Sequence, residues 1–194
     1  MRGKKNLKNP IWCRKSFTAA CDRQKAKTTN RDKTIKTQKE KTKALNTTDI
    51  NALLKKSDNF VGTFSSDQLS NLVIRSFPCF IVVNTAPNLV NFGHWLAIRI
   101  DKFNVEIFDS FGGDPKKWGK RSTNLVEFLK YFSRGKKILV SLVLQTSTSQ
   151  MCGYFSIYFI LARKYLSFKQ IISPFSLDLK LNDTIVLELL DAVL

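Results

Sequence analysis

The positive charge of this chain is concentrated at one end, and that decides which part can form a core. Residues 1 to 48 hold 15 Lys+Arg against 3 Asp+Glu, whereas residues 49 to 194 hold 17 against 12, so a quarter of the chain carries +12 of a total of +17. The first stretch, with Lys25-Ala26-Lys27-Thr28-Thr29 and Lys39-Glu40-Lys41-Thr42-Lys43, has few large apolar residues after Phe17. Such a composition buries too little surface to offset its ordering entropy. Residues 1–48 therefore read as a basic, disordered arm, suited either to phosphate binding and nuclear targeting or to simple solubilisation. Residues 49–194 read as one folded domain. Hydrophobic residues make up 43% of the 194-residue chain, with fifteen Phe, enough for a core of ordinary size.

Within the domain, Asn51 to Lys56 has the pattern of a short helix, and the Ser/x/x/Gln box from Ser65 to Gln68 announces another. Cys79 to Val83 is a short, β-branched apolar run that reads as a buried strand. Trp95–Ile100 and Val105–Asp109 are two more strand-length runs, joined by turn residues 101–104 into a hairpin, after which Phe111-Gly112-Gly113-Asp114-Pro115 breaks the sheet. Apolar residues at 125, 126, 128, 129 and 132 predict an amphipathic helix over Asn124–Ser133, with Asn124 and Glu127 as its cap pair. Ile138 to Leu144 is almost unbroken in its apolarity, the pattern of a mid-sheet strand covered on both faces. Cys152 to Leu166 has the all-round apolarity of a buried central helix, and Asn182–Leu194 closes the chain with an amphipathic one. Strands grouped in the middle with helices on both sides predict an α+β domain, a central mixed β-sheet flanked by helices, with Cys152 at the N-terminus of the buried helix.

Four cysteines at 13, 21, 79 and 152 form no CxxC pair and no dense framework, which argues against a zinc ribbon or a disulfide scaffold and for a reducing compartment. The longest apolar run, Met151–Ala162, is shorter than the roughly 20 residues of a membrane span, and the basic start is not followed by an apolar signal core. A soluble, non-secreted protein without a membrane partner is the expectation.

One set of residues carries chemistry. His94 is the only imidazole, and it immediately precedes a strand. Fifteen residues later Asp109 ends the next strand; in a tight hairpin the start of one strand faces the end of its partner, so the two can meet, as a carboxylate that fixes a histidine tautomer must. Cys152 opens the buried helix, where unpaired amides and the helix dipole favour a thiolate. Gln145, at the end of the preceding apolar run, is placed to set its side-chain N–H beside the Cys152 amide as an oxyanion hole. Gln150 is a rival for that role, and the spacing favours Gln145. Taken singly each residue has a bland explanation: a packed histidine, a turn aspartate, a solvated glutamine, a buried cysteine acting as a small hydrophobe. The order His, acid, amide, thiol is what points to nucleophilic catalysis. Cys13, Cys21 and Cys79 have no placed basic partner and read as structural.

The segments Gly93-His94-Trp95-Leu96-Ala97, Phe108-Asp109-Ser110-Phe111-Gly112 and Gln145 through Cys152-Gly153-Tyr154-Phe155 together resemble the adenovirus-type cysteine endopeptidases, which share a fold and triad order with the SUMO proteases. Phe60-Val61-Gly62-Thr63-Phe64 resembles the Gly-Thr/Val segment near the start of those enzymes. The seven-residue step from Gln145 to Cys152, and Phe-Asp-Ser-Phe-Gly where adenoviral enzymes have Phe-Glu-Pro-Phe-Gly, place it nearer the viral branch. The likeness covers roughly residues 60 to 165 and none of the arm. It implies His94 as general base, Asp109 as its orienting carboxylate, Gln145 as oxyanion donor and Cys152 as nucleophile, with no metal or small-molecule cofactor. It also implies viral capsid or core precursors as substrates, a small residue such as Gly on the acyl side of the cut, and a virion and host-nucleus location. Activation by DNA, which the arm 1–48 would bind, or by a peptide is a further implication; a disulfide-linked peptide is not, since no Cys lies between Asp109 and Gln145. The alternatives are a cellular SUMO- or ubiquitin-like deconjugating protease, and an inactive basic virion protein that binds nucleic acid.

Overall fold

A computed structural model describes residues 43–90, 93–113 and 122–194 of the chain. Most of the basic arm, Cys13, Cys21, and Asp114-Pro115 of the predicted sheet-breaking segment lie outside these residues. The described chain opens against the domain: the Trp95 indole donates to the Leu45 carbonyl at 2.9 Å and the Tyr154 hydroxyl to the Lys43 carbonyl at 3.2 Å. Residues 43–48, counted with the arm on composition, are thus tied to the fold.

Alternating apolar side chains in the middle of the chain build a mixed five-stranded sheet among the described residues, in the order β1 (Phe60–Ser65), β2 (Cys79–Asn84), β3 (Trp95–Ile100), β4 (Asn104–Phe108), β5 (Lys137–Val140). The inner pairs β2/β3 and β3/β4 are antiparallel and the outer pairs β1/β2 and β4/β5 are parallel. Side chains of successive strand residues point to opposite faces. One face, with Phe80, Val82, Trp95, Ala97 and Phe108, packs on helices α1 (Thr47–Leu54), α3 (Cys152–Arg163), α4 (Phe168–Ile172) and α5 (Leu179–Asp191). The other face, with Ile81, Val83, Ile98, Ile100 and Ile107, packs on a 3₁₀ helix (Ser66–Asn71) and α2 (Thr123–Phe132). The α+β architecture is as predicted, and α3 is the buried helix at its centre: eight of its twelve residues are buried.

Several local expectations need correction. The apolar run 138–144 is not a mid-sheet strand. Lys137–Val140 pairs with β4 at the edge of the sheet, Val143 adds one isolated bridge to Phe111, and Ile138 is 47% exposed. Apolarity signals burial but not the number of strand partners, and from Ser141 the chain leaves the sheet to form the site below. Helix α2 begins one residue earlier than expected, with Ser122 at its N-cap position, so Asn124 and Glu127 lie inside the first turns and are not a cap pair. The Ser65 box forms, Gln68 Oε1 accepting from the Ser65 N–H at 2.9 Å, but it opens a 3₁₀ helix. The first helix begins at Thr47, capped by Asn46 and Asp49 reciprocally. The last helix begins at Leu179, capped by Asp178. Strand β1 and helix α4 were not anticipated as elements.

Candidate active site

His94 is delivered to the site by a backbone clasp. Its N–H donates to Thr85 Oγ1 at 3.1 Å while its carbonyl accepts from the Thr85 N–H at 2.9 Å, extending the β2/β3 pairing by one residue. The residue before it is a glycine, and a Cβ there would sit 1.7 Å from Asn84 Oδ1, so a side chain enters only by displacing that amide. The hairpin register Ala97↔Phe108 then brings Asp109, the residue after β4, opposite the start of β3. His94 Nε2 and Asp109 Oδ1 are 2.6 Å apart, as the sequence spacing anticipated.

Asp109 is almost wholly buried, and its charge is met by donors on every side. Oδ1 also accepts from the Phe111 N–H at 2.8 Å and Oδ2 from the Gly113 N–H at 2.9 Å. The turn supplying these amides passes through Gly112 at φ +63°, where a Cβ would lie 2.7 Å from the Val143 nitrogen. This is a left-handed position that glycine adopts without steric cost. From the same turn the Phe111 ring stacks on the His94 imidazole, centroids 4.2 Å apart and planes inclined at 26°.

Cys152 is the first residue of α3, and the N-cap residue Met151 has no side-chain bond to the helix amides. Cys152 lies close enough to the His94 ring to bear on its ionisation. Nε2 pairs with Asp109, and Nδ1 is buried with no hydrogen-bond partner among the described residues. Burial alone would push the charged ring down, but its hydrogen bond to Asp109 and the proximity of Asp109 and Cys152 outweigh it and raise the His94 pKa to about 9. The imidazole therefore keeps both protons at neutral pH.

Gln145 is buried beside this group, and Ser110 and Ser149 hold the two ends of its side-chain amide. Its backbone N–H donates to the Ser110 carbonyl at 2.9 Å, its Oε1 accepts from Ser110 Oγ at 2.5 Å, and its Nε2 donates to the Ser149 carbonyl at 2.9 Å and to Ser149 Oγ at 3.0 Å. Gln150, the rival, is exposed. The four residues singled out in the sequence thus sit just before β3, just after β4, in the 141–151 loop and at the start of α3. His94 pairs with Asp109, and Gln145 is anchored to Ser110, the neighbour of Asp109. Residues that the sequence did not single out include Ser110, Ser141, Ser149, Phe111 and Asp183; serines have many local roles, and only the adjacency of Ser110 and Phe111 to Asp109 marks any of them.

No family model and no curated protein matches the chain. Among solved structures it is similar to the ASFV pS273R protease, at 20% identity and a TM-score of 0.41, covering 66% of this chain and 59% of that one. It is also similar to the central domain of the uncharacterized Lpg1148 protein from Legionella pneumophila, at 13% identity and 0.44, covering 77% and 97%. The third is the SUMO protease Ulp1 with its catalytic cysteine oxidized to a sulfonic acid, at 19% identity and 0.42, covering 79% and 81%. The chain thus spans less than two thirds of the length of the ASFV protease.

Proposed function

We propose that the chain is a cysteine endopeptidase of the adenain-like type, with Cys152 as nucleophile, His94 as the acid–base group, Asp109 as its orienting carboxylate and Gln145 as an oxyanion donor. The observation that carries this reading is the pairing of His94 Nε2 with the buried Asp109 Oδ1 at 2.6 Å, with Cys152 at the first residue of the buried helix α3. With the proton already on His94, the Cys152 sulfur attacks the scissile carbonyl carbon as a thiolate, and the carbonyl π pair moves onto oxygen. In this reading the Cys152 backbone N–H and the Gln145 side-chain amide are the donors to that oxygen. As the intermediate collapses, the C–N bond breaks and His94 gives its proton to the leaving amine. Water then attacks the thioester, His94 takes its proton, and the acid product leaves with the thiolate restored.

In this reading the substrates are viral capsid or core precursors, the location is virion and host nucleus, and the arm 1–48 binds DNA, with DNA or a peptide as activator and no metal or small-molecule cofactor. Iodoacetamide at pH 6 tests the chemistry. Preferential labelling of Cys152, abolished by His94→Ala, supports it; equal slow labelling of all four cysteines supports an inactive nucleic-acid-binding protein instead. Cleavage of a viral precursor peptide against cleavage of SUMO fusions separates the viral from the deconjugating role.

A further inference from the structure

We infer that Ser149 and Asp183 are positioning residues that set the direction of the Gln145 amide, an assignment that rests on the protease reading above. Ser149 Oγ has three partners: it donates to Asp183 Oδ1 at 2.9 Å and accepts from Gln145 Nε2 at 3.0 Å and from the Met151 N–H at 3.3 Å. A hydroxyl has one hydrogen, and an ionised carboxylate only accepts. Asp183 therefore fixes which way the Ser149 O–H points and leaves its lone pairs to the Gln145 N–H and to the residue that caps α3. At the other end of the amide, Ser110 Oγ donates to Oε1. The two serines make the amide orientation unique, since a flip would put the carbonyl against the Ser149 carbonyl.

The clamp comes from the last helix. Asn182, next to Asp183 on α5 and fully buried, donates to the carbonyl of Leu144 at 2.9 Å. Adjacent residues of α5 thus hold both ends of the loop that carries Gln145, the residue before it and the serine four positions after it. A donor only helps a transition state if it is aimed before charge develops on the substrate oxygen. This chain aims it with a carboxylate some distance along the sequence.

Iodoacetamide and a fluorogenic peptidyl-Gly-Gly amide together test the assignment. Alkylation displaces iodide and forms no oxyanion, so it reads only the Cys152–His94 pair, whereas amide hydrolysis needs Gln145 as well. Ser149→Ala is expected to lower kcat about ten- to a hundredfold, as misplacing a catalytic group does, with KM, the alkylation rate and its pH profile unchanged. Ser149→Thr, which keeps the hydroxyl, is expected to recover most of kcat. Asp183→Asn, which preserves shape but can donate, is expected to show the same pattern at smaller size and carries the test should Ser149→Ala not fold. A kcat within twofold of wild type in Ser149→Ala overturns the assignment, and so does alkylation that falls in step with kcat. A wild-type chain that alkylates at Cys152 only as slowly as at the other cysteines and cleaves no peptide sinks the protease reading, and the positioning roles with it.

Discussion

Ser141 Oγ accepts from the Asp109 backbone N–H at 2.8 Å and donates to the Asp109 backbone carbonyl at 2.6 Å, so a single hydroxyl stitches the end of β5 to the end of β4. Both residues are buried. Removing the hydroxyl leaves a buried donor and acceptor without that partner, which typically costs about 1–3 kcal/mol. Ser141→Ala is therefore expected to lower the urea midpoint with little change in slope. The backbone at 109 also gains freedom, so hydrolysis should fall, though less than in Asp109→Ala. An unchanged midpoint would mean that the β4 end is held by its neighbours alone.

Asp109→Asn tests the charge separately from the shape. The amide retains an acceptor for the Phe111 N–H, but it no longer offers negative charge to His94, one of the main reasons that the ring's pKa is raised to about 9. The imidazole should release its proton at lower pH and leave Cys152 without its cationic partner. The expected fall in kcat/KM is about 10²–10⁴-fold, with the alkaline limb of the pH–rate profile displaced to lower pH. A profile that keeps its alkaline limb in place would show that Asp109 only fills space.

Stability should follow the same proton. The fold raises the His94 pKa from 6.5 to about 9, so the folded chain holds a proton that the unfolded chain releases. The linked stabilisation is complete below pH 6.5 and is lost as pH rises through about 9; for a shift of this size it is on the order of 3 kcal/mol. Denaturant unfolding from pH 6 to pH 10 should show wild type converging on His94→Gln towards the alkaline end. In the same range kcat/KM should decline, since a neutral ring has no proton for the leaving amine. Curves that diverge as pH rises would contradict the assignment.

How much of this was legible beforehand depends on the kind of signal. The hairpin that brings His94 to Asp109 follows from two strand-length runs and a four-residue turn, so counting residues places the pair. Helix α3 is visible because its apolarity continues around the helix. The β5 edge was misread because Ile138–Leu144 looks equally apolar whether one strand or two lie beside it. Ser149 and Asp183 lie 34 residues apart in the chain and meet only through the packing of α5, which no local pattern encodes. Conformational detail such as the glycine at 93 is forced by Asn84, a contact made across two strands.

That contact makes Gly93 a sensitive position. Any side chain there must push Asn84 Oδ1, which itself accepts from the Ala86 N–H at 2.9 Å, or displace the His94 backbone from Thr85. Gly93→Ala is expected to cost about 1–3 kcal/mol, as overpacking does, and to lower hydrolysis and Cys152 alkylation together because both need His94 in place. Loss of hydrolysis alone would locate the disturbance in substrate binding and not at the imidazole.

The last prediction concerns how α3 is kept at a fixed height over the sheet. Glu106, buried on β4 three residues before Asp109, is gripped by Arg163 near the far end of α3: Nε to Oε2 at 2.7 Å and Nη2 to Oε1 at 2.8 Å. Arg99 on β3 adds a bond to Oε1 at 3.0 Å and is itself paired with Asp101. The strand that leads into Asp109 and the helix that starts with Cys152 are therefore joined, at the middle of β4 and the last residue of α3, by a two-pronged ion pair. Removing one partner of such a buried pair typically costs about 3–5 kcal/mol, because the remaining charge stays buried. Arg163→Ala should unfold at much lower denaturant than wild type. Replacing the pair together, as in Glu106→Leu with Arg163→Met, should recover much of the loss, because no buried glutamate short of a partner remains and Arg99 keeps Asp101. If the double variant is stable but labels Cys152 more slowly than wild type, the ion pair sets helix position as well as stability; if it labels at the wild-type rate, packing of α3 on β3 is sufficient to place the sulfur.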